Sequence, residues 1–118
     1  MSELKELAAE AKHELLTHII PFWRGMRDDK FGGYYGYLSY DLALDEKAEK
    51  GCILNSRITW FFANAYLLYK DGGISEEECE AAGFKGEDLL AEAKHGYEFL
   101  REHCIDKEYG GIFWSLNY

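Results

Sequence analysis

Arg57 is the residue whose type and position most favour chemistry in this sequence. It stands at the start of an apolar run that ends at Tyr69 and is long enough for a helix. An arginine stays charged and presents a planar fork of N–H donors, so its burial requires an anionic or oxygen-rich partner. Arg57 could therefore hold a sugar oxygen and stabilise negative charge that develops on it. The alternative is a structural ion pair with a nearby carboxylate such as Asp41 or Asp45.

Aromatic side chains form the second group that could bind a ligand. They make up 16% of the chain, and a flat ring offers a stacking surface to the C–H face of a pyranose. The candidates are Tyr35, Tyr37, Trp60 and Trp114. For each ring the alternative is ordinary core packing, which is the commoner role of aromatic residues.

Histidine and cysteine chemistry is less favoured. The histidines fall on or near helices predicted to lie on the outside, which favours surface or structural roles; they are His13, His18, His95 and His103. Cys52 is close to Arg57 in sequence but has no histidine base beside it, so it is not expected to be a nucleophile. The three cysteines are widely spaced and lack a CxxC pair, which favours a reduced, cytoplasmic protein without a zinc site or disulfides. We expect neither a metal nor a cofactor.

The elements that must position these residues belong to an internal repeat. The pattern Asp-x-x-[Phe/Tyr]-Gly-Gly occurs at 28–33 and again at 106–111, and the pentapeptide Ala-Glu-Ala-Lys-His occurs at 9–13 and at 91–95. Two matches in the same order at similar spacing indicate a repeat of about 80 residues. Each Asp-x-x-[Phe/Tyr]-Gly-Gly motif leads into aromatic residues that are typical of a short strand.

The repeat is predicted to be built from helices. The first helix is expected from Ser2 to about Ile20, where Pro21 should end or kink it, and the second from Asn55 or Ser56 to Tyr69. A brief helix should follow from the Ser75 capping box to Gly83, and the last helix should run from Glu87 to Cys104. The first and last of these carry one apolar stripe each, whereas the second is apolar nearly all round and should be buried on all sides. Alternating outer and inner helices of this kind are typical of an α/α toroid. The sequence holds about one and a half helix pairs, so part of the toroid is missing.

Composition excludes several classes of function. The net charge of −9 disfavours nucleic acids and anionic membranes, because a phosphate-binding surface needs clustered Lys and Arg. No apolar run is long enough to span a membrane, and the acidic N-terminus does not resemble a signal peptide. An apolar helix with too few covering partners also predicts that the isolated chain self-associates.

The sequence around Arg57 resembles that of the cellobiose 2-epimerases, which belong to the N-acylglucosamine 2-epimerase superfamily. The likeness is carried by the segment 50–61 (KGCILNSRITWF), flanked by 20–23 (IPFW), 32–41 and 109–115 (YGGIFWS). The family fold is an (α/α)6 barrel, so the resemblance implies an all-α chain in which residues 1–118 form the N-terminal part of one barrel domain. Short Gly-Gly aromatic β segments would join its outer and inner helices.

The resemblance also implies a reaction and a place for each candidate residue. In the family a base removes the C2 proton of the open-chain glucose at the reducing end of cellobiose, and an acid returns a proton to the opposite face of the enediolate. The product is 4-O-β-D-glucosyl-D-mannose, and no cofactor takes part. Arg57 matches the family arginine that binds substrate oxygens, and Trp114 is a weaker match to a stacking residue. The family's two catalytic histidines lie beyond the residues present here, so the 118-residue chain is expected to be inactive.

The same residues also fit other functions. N-acylglucosamine 2-epimerases and aldose–ketose isomerases share the barrel and the enediolate chemistry. A non-catalytic glycan-binding or assembly module could keep the toroid surface without the reaction. The segment 51–60 favours the cellobiose enzymes among these alternatives.

Overall fold

A computed structural model describes residues 2–39, 41 and 43–116 of the chain, which is mostly helical. In chain order the elements are helices α1 (Ser2–Glu14), π1 (Leu15–Ile19) and α2 (Ile20–Gly25), strand β1 (Lys50–Gly51), helices α3 (Cys52–Lys70), α4 (Glu76–Ala81), α5 (Gly86–Phe99) and π2 (Leu100–Cys104), and strand β2 (Ser115–Leu116). The predicted helix order is confirmed. The brief helix α4 also begins with the predicted capping box at Ser75.

The first helix continues past Pro21, where the sequence predicted an end or a kink. Ile20 has helical dihedrals, with φ −62° and ψ −49°. Pro21 is the second residue of α2, and its missing N–H removes one hydrogen bond from the interior of this continuous helix. Directly before it, the backbone N–H of Ile20 donates to the carbonyl of Leu15, five residues back, and closes the π turn π1. The irregularity expected from the proline is therefore a π turn inside a longer helix.

The core lies between α3, α5, the end of the first helix and the segment that follows the first glycine pair. Phe62 from α3, Leu89 from α5, Ile20 and Tyr34 are each fully buried in it. Close approach of α3 and α5 depends on Gly96, because a Cβ at that position would meet the Thr59 side chain. These contacts fix the crossing of α3 and α5.

Part of the predicted helix stripes is placed differently. The apolar spacing of the last helix predicts a packed stripe through Leu89, Ala93, Tyr97, Leu100 and Cys104; Leu89, Ala93 and Cys104 are buried, but Tyr97 is 57% exposed. The face of α5 that contacts α3 passes through Gly96, where a Cβ would meet Thr59, and Tyr97 lies outside that face. The predicted burial of Tyr97 is wrong.

Helix α3 is covered on one side only. Ile58, Phe62 and Ala65 are buried, whereas Trp60 and Leu67 are 67% and 56% exposed. The prediction of burial on all sides is therefore wrong for this chain, because the described residues supply neighbours for one face. The radius of gyration of 15.9 Å also exceeds the value of about 13.5 Å for a compact domain of this length. The open face agrees with the prediction that covering partners are missing.

The aromatic segments form turns and short pairings. Tyr40 and Leu42 lie outside the described residues, and within the rest of 31–44 no strand forms. A single antiparallel β-bridge pairs Leu38 with Leu44 in this part of the chain. β1 pairs antiparallel with β2, which brings the segment after the second glycine pair to the start of α3. The first glycine pair also packs against the start of α3. Both glycine pairs therefore lie at the same end of the helices, which agrees with their equivalent positions in the repeat.

Candidate functional site

The start of α3 is held by a buried ion pair that reaches the first glycine-rich turn. Lys50 Nζ donates to Asp28 Oδ2 at 2.5 Å and to the carbonyl of Gly32 at 2.7 Å. Asp28 Oδ1 accepts the backbone N–H groups of Lys30 and Phe31 at 2.9 and 3.0 Å. Burial alone would raise the pKa of Asp28, but the hydrogen bonds from Lys50 and the two backbone groups outweigh it and lower the pKa. The carboxylate therefore stays charged and closes the turn.

Asn55 joins the same turn to the first turn of α3. Its Oδ1 accepts the backbone N–H of Tyr34 at 2.8 Å, and its Nδ2 donates to the carbonyl of Gly51 at 3.0 Å. Gly33, at φ +67°, leaves space for this contact, since a Cβ there would lie 2.8 Å from Asn55 Oδ1 and 2.7 Å from the Phe99 ring. The glycine is required both by its conformation and by the close approach.

A second buried network ties the turn to α5. The Tyr34 hydroxyl donates to Glu92 Oε1 at 2.9 Å, and the same carboxylate receives Arg24 Nε at 2.9 Å and Arg27 Nη1 at 3.2 Å. Burial and the adjacent Glu92 carboxylate raise the pKa of Tyr34 far above its ordinary value. His95 Nε2 completes the cover by donating to the carbonyl of Gly33 at 2.7 Å. The start of α3 is thus rigidly placed, as a ligand-binding side chain on it would require.

Arg57 lies on the first turns of α3, two residues beyond Asn55, and its side chain is exposed. The expectation that it is buried does not hold in this chain, because the described residues leave that face of α3 open. No hydrogen bond or ion pair joins the Arg57 side chain to any residue in the described part, so the expected alternative of a pair with Asp41 or Asp45 is not formed there. Its guanidinium donors are available to a ligand.

The aromatic candidates divide into exposed and packed rings. Trp60 is three positions after Arg57 and is therefore its neighbour on the same helix face; it is 67% exposed. Trp114 is 77% exposed, and its carbonyl accepts the N–H of Cys52 at 3.0 Å, which places its backbone beside the start of α3. Tyr37 is exposed as well. Tyr35 is half-buried and packs against the core, which favours the packing alternative for that residue.

The remaining titratable candidates agree with the structural roles expected for them. His13, His18 and His103 are exposed, and His95 is engaged by the turn. Cys104 is buried against Cys52, and burial together with that thiol raises the pKa of Cys104 to about 12. Among the described residues, no cluster of His, Cys, Asp and Glu could hold a metal ion. No helix in that part of the chain has the length and apolar character needed to cross a membrane.

Sequence reasoning missed the residues that position α3. Lys50 and Asn55 stand in the segment that carries the resemblance, but their separation from Asp28 and Tyr34 along the chain hides the pairing. Glu92 gave no usable signal, since a glutamate on an amphipathic helix is ordinarily solvated.

Comparison with known proteins gives these residues a context. No protein-family profile matches the chain. Cellobiose 2-epimerase from Ruminococcus albus is 48% identical over 112 residues, which are 95% of this chain and 25% of that protein. The enzyme of the same name from Eubacterium cellulosolvens is 49% identical over 105 residues, covering 89% of this chain and 22% of its own length.

Solved structures agree with these relatives. A sugar epimerase from a ruminal bacterium matches with a TM-score of 0.78 and 49% identity, over 94% of this chain and 25% of that one. Cellobiose 2-epimerase from Bacillus thermoamylovorans B4167 matches with a TM-score of 0.81 and 37% identity, over 97% and 26% of the two chains. This chain spans about a quarter of the length of the relatives it matches. Over that length, the chain is a homologue of the cellobiose 2-epimerases, and the resemblance inferred from its motifs is confirmed.

Proposed function

We propose that the full-length protein epimerises cellobiose at C2 of its reducing-end glucose, and that this chain supplies the arginine and part of the aromatic surface of the substrate site. The observation that carries the proposal is Arg57, a guanidinium without a protein partner in the described part of the chain, fixed on the rigid first turns of α3. The names of the relatives support the substrate, a β-1,4-linked disaccharide.

In the proposed reaction a base takes the C2 proton of the open-chain sugar, and the carbonyl oxygen gains negative charge as the enediolate forms. Arg57 would donate to that oxygen or to its neighbour, where two parallel N–H groups suit the cis arrangement of enediolate oxygens. Trp60 and Trp114 would stack against pyranose faces, with Tyr37 as a further candidate. The proton-transferring histidines would come from later helices of an (α/α)6 barrel, with this chain as the N-terminal part of that single domain. A soluble protein of the cytoplasm fits this role.

The substrate assignment is tested by incubating the full-length protein with cellobiose and identifying the disaccharide product. Formation of 4-O-β-D-glucosyl-D-mannose supports the proposal. Inversion of N-acetylglucosamine at C2, or conversion of a free aldose to a ketose, without change to cellobiose, would favour one of the related epimerases or isomerases. Binding of the disaccharide without turnover would favour the glycan-binding module.

The 118-residue chain alone is expected to show no epimerase activity. Arg57 can stabilise charge, but in the described chain no exposed histidine lies on α3, and a base is needed before an enediolate forms. The measurement is exchange of the C2 proton of cellobiose for deuterium in D2O, followed by NMR, with the full-length protein as the positive control. Exchange catalysed by the purified short chain would contradict the proposed division of roles.

We also propose that the isolated chain self-associates through the open side of α3, around Trp60, Phe61 and Tyr66. Trp60 is 67% exposed there, with Phe61 and Tyr66 half-buried beside it. Burying an aromatic side chain is worth about 2 kcal/mol. Trp60→Glu should therefore weaken association at least about tenfold, measured by sedimentation velocity over a range of concentrations. Lys70→Glu, an exposed change at the end of the same helix, is the control. Monomers at every concentration would refute the prediction.

A further inference from the structure

Two cysteines from distant parts of the chain meet beside the pairing of β1 and β2. Cys52 is the first residue of α3 and Cys104 is the last residue of π2, and they are 1% and 0% exposed. Together with Phe99 they form a small buried cluster that is separate from the main core. Within this cluster the Cys104 thiol is hydrogen-bonded to the Cys52 thiol. The fold therefore holds two sulfur atoms in contact.

The backbone ties both cysteines to one short segment. The Cys52 N–H donates to the carbonyl of Trp114 at 3.0 Å, and the Phe113 N–H donates to the carbonyl of Cys104 at 2.7 Å. The same segment continues into β2, which pairs with β1 and packs on the cluster through Leu116. These bonds fix the start of α3 and the end of π2 relative to each other, so the contact between the two thiols is a built feature of the fold.

The thiol pair has no part in the proposed sugar chemistry. Among the described residues neither thiol belongs to a group of three metal ligands. The third cysteine, Cys79, lies in the main core and not in this cluster. The reaction open to two thiols in contact is their joint two-electron oxidation to a disulfide.

We propose that Cys52 and Cys104 form a disulfide when the protein meets hydrogen peroxide. In the first step one sulfur attacks a peroxide oxygen, the O–O bond breaks, and the leaving hydroxide takes the thiol proton to become water. In the second step the other sulfur attacks the resulting sulfenic acid, the S–O bond breaks, and a second water leaves with the remaining thiol proton. Two thiols and one peroxide thus give one disulfide and two waters.

The two thiols differ in the step that each can perform. Burial and the adjacent Cys52 thiol raise the pKa of Cys104 to about 12, so Cys104 keeps its proton at neutral pH. Because the thiolate is the form that attacks peroxide, Cys52 is the sulfur that becomes the sulfenic acid, and Cys104 resolves it. Both thiols are buried, so peroxide reaches them only when the short β1–β2 pairing opens locally, and the crosslink should form slowly.

The crosslink would close a loop that contains all of α3, α4, α5 and π2. A disulfide stabilises a protein mainly by restricting its unfolded chain, and it does so more strongly for a long loop than for a short one. Oxidation should therefore lock the start of α3 to the end of π2 and make the fold harder to unfold. This inference does not depend on the proposed epimerase activity.

The first test maps the crosslink in the full-length protein. The protein is exposed to millimolar hydrogen peroxide, unfolded in urea, alkylated with iodoacetamide without reductant, and digested for mass spectrometry. We expect the peptides that contain Cys52 and Cys104 to be joined and lighter by two hydrogen atoms than the two thiol peptides, while Cys79 is alkylated. Dithiothreitol should separate them. Alkylation of both Cys52 and Cys104, or their conversion to sulfinic acids without a crosslink, overturns the proposal.

The second test separates the two thiols and measures the effect on stability. In Cys104→Ser, peroxide should leave a sulfenic acid on Cys52 that dimedone traps, whereas Cys104 in Cys52→Ser should stay unlabelled. The oxidised wild-type protein should unfold about 3–5 °C higher than the reduced protein, and peroxide should leave the thermal midpoint of Cys104→Ser unchanged. A dimedone adduct on Cys104 instead of Cys52 would overturn the order of the steps, and equal midpoints would overturn the stabilising effect. If either variant does not fold, the peptide map of the wild-type protein still decides whether the crosslink forms.

Discussion

Arg57→Lys in the full-length protein is expected to lower kcat for cellobiose by about a hundredfold, which corresponds to about 3 kcal/mol of transition-state stabilisation. Lysine keeps the positive charge but presents a point charge in place of the planar fork, so it cannot donate in parallel to two oxygens of the enediolate. The loss should fall mainly on kcat, because charge on the oxygen develops only as the C2 proton leaves. Initial rates over a range of cellobiose concentrations separate kcat from KM.

The fold should survive this change, since Arg57 is exposed and without a protein partner in the described part of the chain. The matched control is Arg101→Lys, in π2, where the arginine is exposed beside Glu102 at 3.8 Å. Arg101→Lys should leave both kcat and thermal stability unchanged. Near-normal turnover in the Arg57→Lys enzyme, or a loss equal to that of Arg101→Lys, would remove Arg57 from the substrate site.

The repeat was the most predictable part of this fold. The aspartate and the two glycines that the turns at 28–33 and 106–111 share impose the same local hydrogen bonds, and these depend only on residues a few positions apart. Helix order followed from periodicity for the same reason. Arg57 could be singled out because an arginine inside an apolar run is costly unless a ligand or an acid meets it.

Burial depended on information that local sequence does not contain. The apolar face around Trp60 predicted burial, but whether it is covered depends on helices that the described chain does not supply. Likewise a lysine such as Lys50 is ordinarily expected at the surface, and only the fold brings it to Asp28, 22 positions earlier in the chain. The long-range side-chain pairs that hold the start of α3 could not be predicted from the sequence, because the number of residues between two positions does not determine whether the fold brings them together.

Asp28→Asn should be the most damaging of these substitutions for folding. The Lys50 and Asp28 side chains are 3% and 1% exposed, so the variant leaves an ammonium group buried without its counter-charge. Removing one partner of a buried pair costs about 3–5 kcal/mol, a large share of the stability of a small domain. Urea denaturation of the 118-residue chain, or of the full-length protein where the variant chain does not fold, measures the loss. Asp106→Asn in the same short chain is the control, and it should cost less than about 0.5 kcal/mol.

The acid dependence of stability should identify the cause of this loss. The pKa of Asp28 is lowered in the folded chain, so the pair's contribution is fully present above the unfolded pKa of about 3.9 and disappears as pH falls through the lower folded value. Asp28→Asn should therefore flatten the fall in unfolding free energy below about pH 4, whereas Asp106→Asn should leave it steep. Adding Lys50→Met to Asp28→Asn removes the stranded charge and should restore most of the lost stability. A double variant no more stable than Asp28→Asn alone would mean that Asp28 acts through the backbone of its turn rather than through Lys50.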